Sequence, residues 1–554
     1  MKAVQNKLIV ALCWLCANMA LADDISRRGR AGLATEYTPA YCIAAHRINK
    51  LRVHANNFIG LTLSPFSEVD CFTGQKLGSF GCEYPRKSRV DYLAGGSYWI
   101  GAVVDGDTIV TTGAFISDGE FAEETVPVES PFGSMKHFSL LDNDAELRNL
   151  ARSEEDYIAE FNDTLSDFLR LKSLDFLDNR PHKPLGIKFT ERSMAWSYEY
   201  AEDFILYDLR ITNIGQHNLH NVYFGIYVDA GVGFVSEQGG RGRQNITGFR
   251  QSHASSVGCA QNDTMNIMWV ADNDGDPFGG RFVRSGLSPS APDIVGVRFL
   301  AHPRTDQSLS YNWWSLDNPV MPSYDFGPRK RNNFRNFQTG GTGFPKGDRN
   351  RYHVLSNREI DYDQVFTARI SPNDLTWVFP APAIADDVAV GEQVLQALLS
   401  VGPFNLPPGA VLDIPFALVA GENFHIDPDN GDNLPDNPSA WRRNVDFSDL
   451  AKNALWADWI YDNPGVDSDN DGYAGEFRVC VHESTFVDGQ WTATDADTVW
   501  YKGDDIPDWR GAAPPPAPDF WITPTVNGLH VRFNGSRSET EKDIWLRAVD
   551  FEGY

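Results

Sequence analysis

Residues 464–477 read PGVDSDNDGYAGEF, with Asp467, Asp469 and Asp471 alternating ahead of Gly472 and Glu476 following. A hard cation such as calcium takes about six to eight oxygens, and carboxylates on alternate residues of a tight loop can deliver them. Gly472 permits the sharp turn, and Tyr473 is spaced to give its backbone oxygen. Asp467, Asp469, Asp471, Tyr473 and Glu476 are therefore expected calcium ligands, against the competing reading of a solvated acidic turn. Three more stretches follow the same logic. DNDGDP brings Asp272, Asp274 and Asp276 to a strand end. GDDIPDW supplies Asp504 and Asp508, with Asp505 between them, to complete the Asp467 loop. DPDNGDNLPD carries Asp427, Asp429, Asp432 and Asp436.

The Asp467 loop departs from an EF-hand, whose twelfth position is a bidentate Glu; here that position is Arg478, and Glu476 sits at the tenth. The loop resembles the short calcium loops of thrombospondin type 3 and dockerin repeats, which implies structural rather than catalytic ions.

Catalytic candidates are fewer. In REIDYD, Glu359, Asp361 and Asp363 alternate and would share one face of a strand. Two carboxylates about 5–10 Å apart can hydrolyse a glycosidic bond, and Trp313 and Trp314 in YNWWS would offer a sugar-stacking surface. The competing reading is a hydrated acidic face and two core tryptophans. His217 and His220 form H-x-x-H in a turn, and a zinc site there would need further ligands. No H-E-x-x-H, G-x-S-x-G or G-x-x-x-x-G-K-[ST] motif occurs.

The 554 residues carry 48 Lys and Arg against 75 Asp and Glu, a net charge of −27. Such a surface repels nucleic acid and anionic membranes, which excludes a general nucleic-acid role. The basic stretch PRKRNNFR, residues 328–335, reads as an exposed loop. At the N-terminus, Lys2 and Lys7 precede an apolar run ending in Ala20-Leu21-Ala22, the pattern of a secretory signal peptide spanning residues 1–22. A secreted or cell-surface chain is expected, with no transmembrane span in its mature form and an extracellular glycan or cell-surface protein as partner. Five cysteines follow the leader, and Cys71 with Cys82, around TGQKLGSFG, is the expected disulfide, with free buried thiols as the alternative.

Strands must position these residues. Asp105-Gly106 reads as a hairpin turn between two β-rich runs. Ile205, Tyr207, Leu209 and Ile211 alternate, as do Val222, Phe224, Ile226 and Val228, and then Leu412, Ile414, Phe416 and Leu418. Residues 143–168 read as a charged helical excursion, and residues 447–461 as a helix capped by Asp446 or Ser448. The fold class is mainly β: multidomain antiparallel β-sandwich modules with a few short helices. The expected divisions are an N-terminal β-rich region at 23–140, a helical insertion at 141–180 and a central sandwich at 181–425. A helix with its acidic loop follows at 426–510, then a Pro-rich linker at 511–518 and a new β module at 519–554. Only 36 residues follow Pro518, against roughly 100 for an immunoglobulin-like sandwich, so the last module reads as truncated.

Several phrases in combination carry a family resemblance: CEYPRKSRVDYLAGGSYWIGAVV, SMAWSYEYAEDFILYDLRITNIG, VADNDGDP, YHVLSNREIDYDQ, SVGPFNLPPG and GDDIPDWRGAAPPPAP. They resemble large exported bacterial proteins of unassigned activity from lineages that use type IX secretion. The resemblance implies a fibronectin type III-like module after the Pro-rich linker, and it attaches no catalytic role to any residue. Asp505 stands where that family's turn has glycine. The reading that follows is an exported, calcium-stabilised, non-catalytic protein with a structural, adhesive or glycan-binding role. The alternative is a secreted polysaccharide hydrolase using Glu359, Asp361 or Asp363.

Overall fold

The computed structural model describes residues 41–64, 69–113, 124–128, 135–164, 174–235, 244–254, 262–275, 290–300, 306–316, 325–333, 343–391, 394–463, 478–487, 490–499, 508–510, 519–525 and 528–534. Two nine-stranded antiparallel sheets face one another. The first runs in the order Ile43–Ala45, Arg52–Asn56, Cys82–Glu83, Val90–Val104, Leu219–Phe234, Val394–Leu406 and Ser308–Leu316. The second runs Asn245–Ala254, Asn262–Asp272, Ile294–Phe299, Val411–Gly421, Phe204–Asn213, Ile187–Ala195, Glu155–Asn162 and Val126–Pro127.

The alternation read from the sequence faces the space between the sheets. Ile205, Tyr207, Leu209 and Ile211 meet Val222, Phe224, Ile226 and Val228 in one core, joined by Ile414, Phe416 and Leu418. Tyr207 stacks on Phe416 at 4.4 Å, and Tyr98 from the first sheet meets Phe416 at 5.8 Å. The outer faces are covered too. Helix Ser448–Tyr461 lays Leu450, Ala451, Ala454 and Ile460 on the second sheet beside Trp269 and Leu206. The N-cap is Phe447, with no side-chain cap bond, and not Asp446 or Ser448; Asp446 accepts the Ser448 N–H at 2.8 Å. Arg298 pins the helix to the sheet, pairing with Asp458 at 2.9 Å and donating to the Ala454 carbonyl at 3.1 Å. Helix Asp348–Ser356 covers the first sheet, where Val354 and Leu355 join Trp99, Tyr227, Trp314 and Phe344. Strands covered on both faces read as near-continuous apolar runs, which is why Val90–Val104 is buried along most of its length.

The expected turn at Asp105-Gly106 closes Val104 onto Asp107, with both turn residues at positive φ (52° and 90°), as a two-residue hairpin requires. Three expectations are corrected. Regions 23–140 and 181–425 are not separate, because Val90–Val104 pairs along its length with Leu219–Phe234. Non-local pairing of this kind leaves no mark on local sequence. Among the described residues of 143–168 only Ala145–Leu150 is helical, and Glu155–Asn162 is a strand of the second sheet with Tyr157, Ala159 and Phe161 buried. From Tyr157 to Asn162 buried and half-buried residues alternate, so the period of two was present beneath the polar composition. The disulfide joins Cys42 to Cys71, and Cys82 is a buried free thiol. The strand Cys82–Glu83 directs Cys82 into the core, whereas the Cys71 N–H bonds to the Ile43 carbonyl at 3.0 Å and so brings Cys71 beside Cys42. No helix among the described residues is long and apolar enough to cross a membrane.

Candidate functional site

The REIDYD segment is not a strand with three acids on one face. Residues 359–361 run beside the edge strand Ser308–Leu316 of the first sheet: the Tyr311 N–H donates to the Glu359 carbonyl at 2.7 Å and the Asp361 N–H to the Tyr311 carbonyl at 3.0 Å. Glu359 is 1% exposed and accepts from the Asn333 amide at 3.0 Å and the Lys330 N–H at 3.3 Å. Burial pushes its carboxyl above the usual range, and the Asn333 and Arg329 interactions pull it back. Asp361 forms a fully buried ion pair with Arg329 at 3.3 Å and accepts the Trp313 N–H at 3.2 Å. Asp363 caps the short helix Gln364–Thr367 through the Phe366 N–H at 2.7 Å and pairs with Arg442 at 3.1 Å. The three carboxylates are thus occupied: Glu359 and Asp361 are buried beside Arg329, and Asp363 caps a helix. Trp313 and Trp314 are fully buried and offer no stacking face.

What this scaffold presents to solvent is aromatic. Tyr362 and Phe366 are 41% and 40% exposed, their ring centroids 4.3 Å apart, and Trp377 backs Tyr362 at 5.0 Å. The buried residues hold these rings in place. The Trp313 indole N–H donates to the Tyr362 carbonyl at 2.7 Å, and the Arg329–Asp361 pair fixes the residue before it. Cations flank the surface: the Arg442 guanidinium lies 5.0 Å from the Phe366 ring centroid and the Lys330 ammonium 5.5 Å from that of Trp377. Of the acids singled out in the sequence, Glu359 and Asp361 are buried in the segment that carries these rings. The available signal was Tyr362 and Phe366 at i and i+4 around a helix-capping Asp363, a spacing that places two rings on one face.

The acidic loops divide. Asp467, Asp469, Asp471, Tyr473, Glu476, Asp276, Asp504 and Asp505 lie outside the described residues. Asp272 accepts the N–H groups of Ala291 at 3.2 Å and Asp274 at 3.3 Å, and Asp274 those of Gly275 and Gly431, both at 3.0 Å. Asp274 fastens the loop to the turn at Asn430–Asn433, and Asp272 ties it to Ala291. Asp427 accepts the Asp429 N–H at 3.2 Å. Asp508 accepts the Asn463 N–H at 2.8 Å, which places it beside the residue that precedes PGVDSDNDGYAGEF. His217 pairs with Asp105 at 3.2 Å, both exposed. Among the described residues, no group of three or more His, Cys, Asp or Glu side chains is arranged to hold a metal ion.

No family model matches the chain, and no curated protein matches it. Among solved structures, a putative aldose 1-epimerase from Escherichia coli K12 is 7% identical, with 69% of this chain and 100% of that one covered at a TM-score of 0.24. The Slr1438 protein of Synechocystis sp. PCC 6803 is 9% identical over 71% and 99% of the two chains at 0.21. A galactose mutarotase related enzyme from Lactobacillus acidophilus is 9% identical over 69% and 98% at 0.20. Likenesses this loose carry no argument about the site.

Proposed function

We propose that the chain is an exported, non-catalytic binding protein that holds a glycan on the Tyr362–Phe366 surface. One observation carries this reading: two half-exposed rings, 4.3 Å apart, stand on a segment anchored by a buried ion pair. Sugar rings present an apolar face to aromatic side chains, and polar groups at the rim then fix orientation. Arg442 and Asp363 supply such a rim beside Phe366. The burial of Glu359 and Asp361 supports binding without hydrolysis, since both acids are spent inside the protein.

Calcium at the Asp467 loop belongs to the same proposal. Its role is to stiffen the end of helix Ser448–Tyr461, and the position of Asp508 next to Asn463 supports a shared site. A polysaccharide panel scored for both retention and released reducing ends tests the function. Retention without release, lost in Tyr362→Ala/Phe366→Ala, is the expected result. Release abolished by Glu359→Gln would replace this reading with the hydrolase.

A further inference from the structure

At the far edge of the first sheet, six cationic side chains surround a cavity of about 510 Å³: Arg47, Arg52, Lys76, Arg86, Lys87 and Arg89. One carboxylate, Glu83, lines it with them. On a chain of net charge −27 this is an inversion of local sign. Concentrating like charges in a concavity is unfavourable unless something offsets it. Internal partners do so only in part. Arg47 pairs with Asp70 at 3.1 Å, and Arg52 reaches Glu83 at 3.5 Å. Arg86 donates to the Arg47 carbonyl, and Arg89 to the Val235 carbonyl at 3.0 Å. Those two arginines are positioned by carbonyls and form no ion pair among the described residues. Lys76 and Lys87 form no ion pair among the described residues and are exposed.

The backbone adds an independent observation. Lys87 and Arg89 both adopt the left-handed region, at φ 75° and 67°. Each such residue costs on the order of 1 kcal/mol where glycine would cost nothing. The loop is held there by hydrogen bonds on both sides: Arg86 N–H to the Lys50 carbonyl, Ser88 N–H to the Pro85 carbonyl, and Tyr84 N–H to the Val90 carbonyl, at 2.6, 2.9 and 3.1 Å. Two cationic residues, two positions apart and both lining one cavity, are thus held in a strained backbone.

We propose that this cavity binds a small, multiply charged phosphate or sulfate ester. Its volume is that of a small-molecule site. Guanidinium forks pair two-pronged with tetrahedral oxyanions, and donors converging from several walls suit terminal oxygens that point in several directions. A planar carboxylate uses fewer of them.

The test is calorimetric titration of the whole chain with inorganic tripolyphosphate, glucosamine 2,6-disulfate and, as the carboxylate comparison, tricarballylate. Tripolyphosphate or the disulfate binds, at least about tenfold more tightly than tricarballylate, and which of the two is tighter identifies the source. Lys76→Gln/Lys87→Gly weakens that binding at least about tenfold, a change of about 1.4 kcal/mol. Glycine suits the φ of Lys87, so this variant keeps its fold, which an unchanged or raised Tm verifies. Tyr362→Ala/Phe366→Ala leaves the anion affinity unchanged, which separates this site from the glycan surface. Absence of binding by both phosphate and sulfate probes, equal binding of tricarballylate, or an affinity indifferent to the Lys76/Lys87 replacement overturns the proposal.

Discussion

Glu191 lies on the inward face of strand Ile187–Ala195, 1% exposed, inside the aromatic core between the sheets. Among the described residues its one side-chain hydrogen bond comes from the Tyr98 hydroxyl at 2.5 Å. Burial pushes its carboxyl up to about 7, with the Tyr98 bond pulling it back. The folded state therefore holds a proton that the unfolded chain releases from about pH 4.5 upward. Stability contributed at this site is complete below about pH 4.5, falls as pH rises toward 7, and is flat beyond. The fall amounts to about 3 kcal/mol at 1.36 kcal/mol per pKa unit. Glu191→Gln removes the titration while its amide oxygen still accepts from Tyr98. Other carboxylates also titrate in this window, so the quantity to measure is the difference in unfolding free energy between parent and variant, by urea denaturation at pH 4.5, 5.5, 6.5 and 7.5. That difference is expected to move by about 3 kcal/mol in favour of the variant across the series, whatever its constant offset. A difference that stays within about 0.5 kcal/mol at every pH would refute the reasoning, and with it the claim that a carboxyl is sealed between the sheets.

Two further outcomes follow from buried connections. Arg329→Met leaves Asp361 buried and unpaired, and urea unfolding should show a loss of about 3–5 kcal/mol, most of it recovered in Arg329→Met/Asp361→Leu. Cys42→Ser/Cys71→Ser opens a loop of 29 residues and should cost about 3–4 kcal/mol in the same assay, with Cys82→Ala giving no comparable loop effect.

Much of the sandwich was legible because its inward faces follow a period of two. Ile205 to Ile211 and Val222 to Val228 read as strands and proved to be facing core layers. The helix at Ser448–Tyr461 was legible through its apolar spacing, although its N-cap is Phe447 and not Asp446 or Ser448. Glu155–Asn162 was missed because its charges outweighed its alternation, and Cys42 because its proximity to Cys71 depends on sheet pairing 29 residues away. The site was half legible. Acidic residues attract attention in a sequence, yet at Glu359 and Asp361 they serve as buried anchors, a distinction set by Arg329 and Asn333 arriving from elsewhere in the chain. The basic cavity was invisible because its cations come from separate segments, residues 47–52, 76 and 86–89, each unremarkable alone.

The central claim is that Tyr362 and Phe366 hold a glycan. Affinity electrophoresis through gels containing the polysaccharide retained most strongly by the parent chain tests it most directly. Two stacking rings are worth about 1–3 kcal/mol together, so Tyr362→Ala/Phe366→Ala should raise the dissociation constant about 5- to 150-fold while Tm stays near that of the parent. Equal retardation of the two proteins would place glycan binding elsewhere and contradict the account.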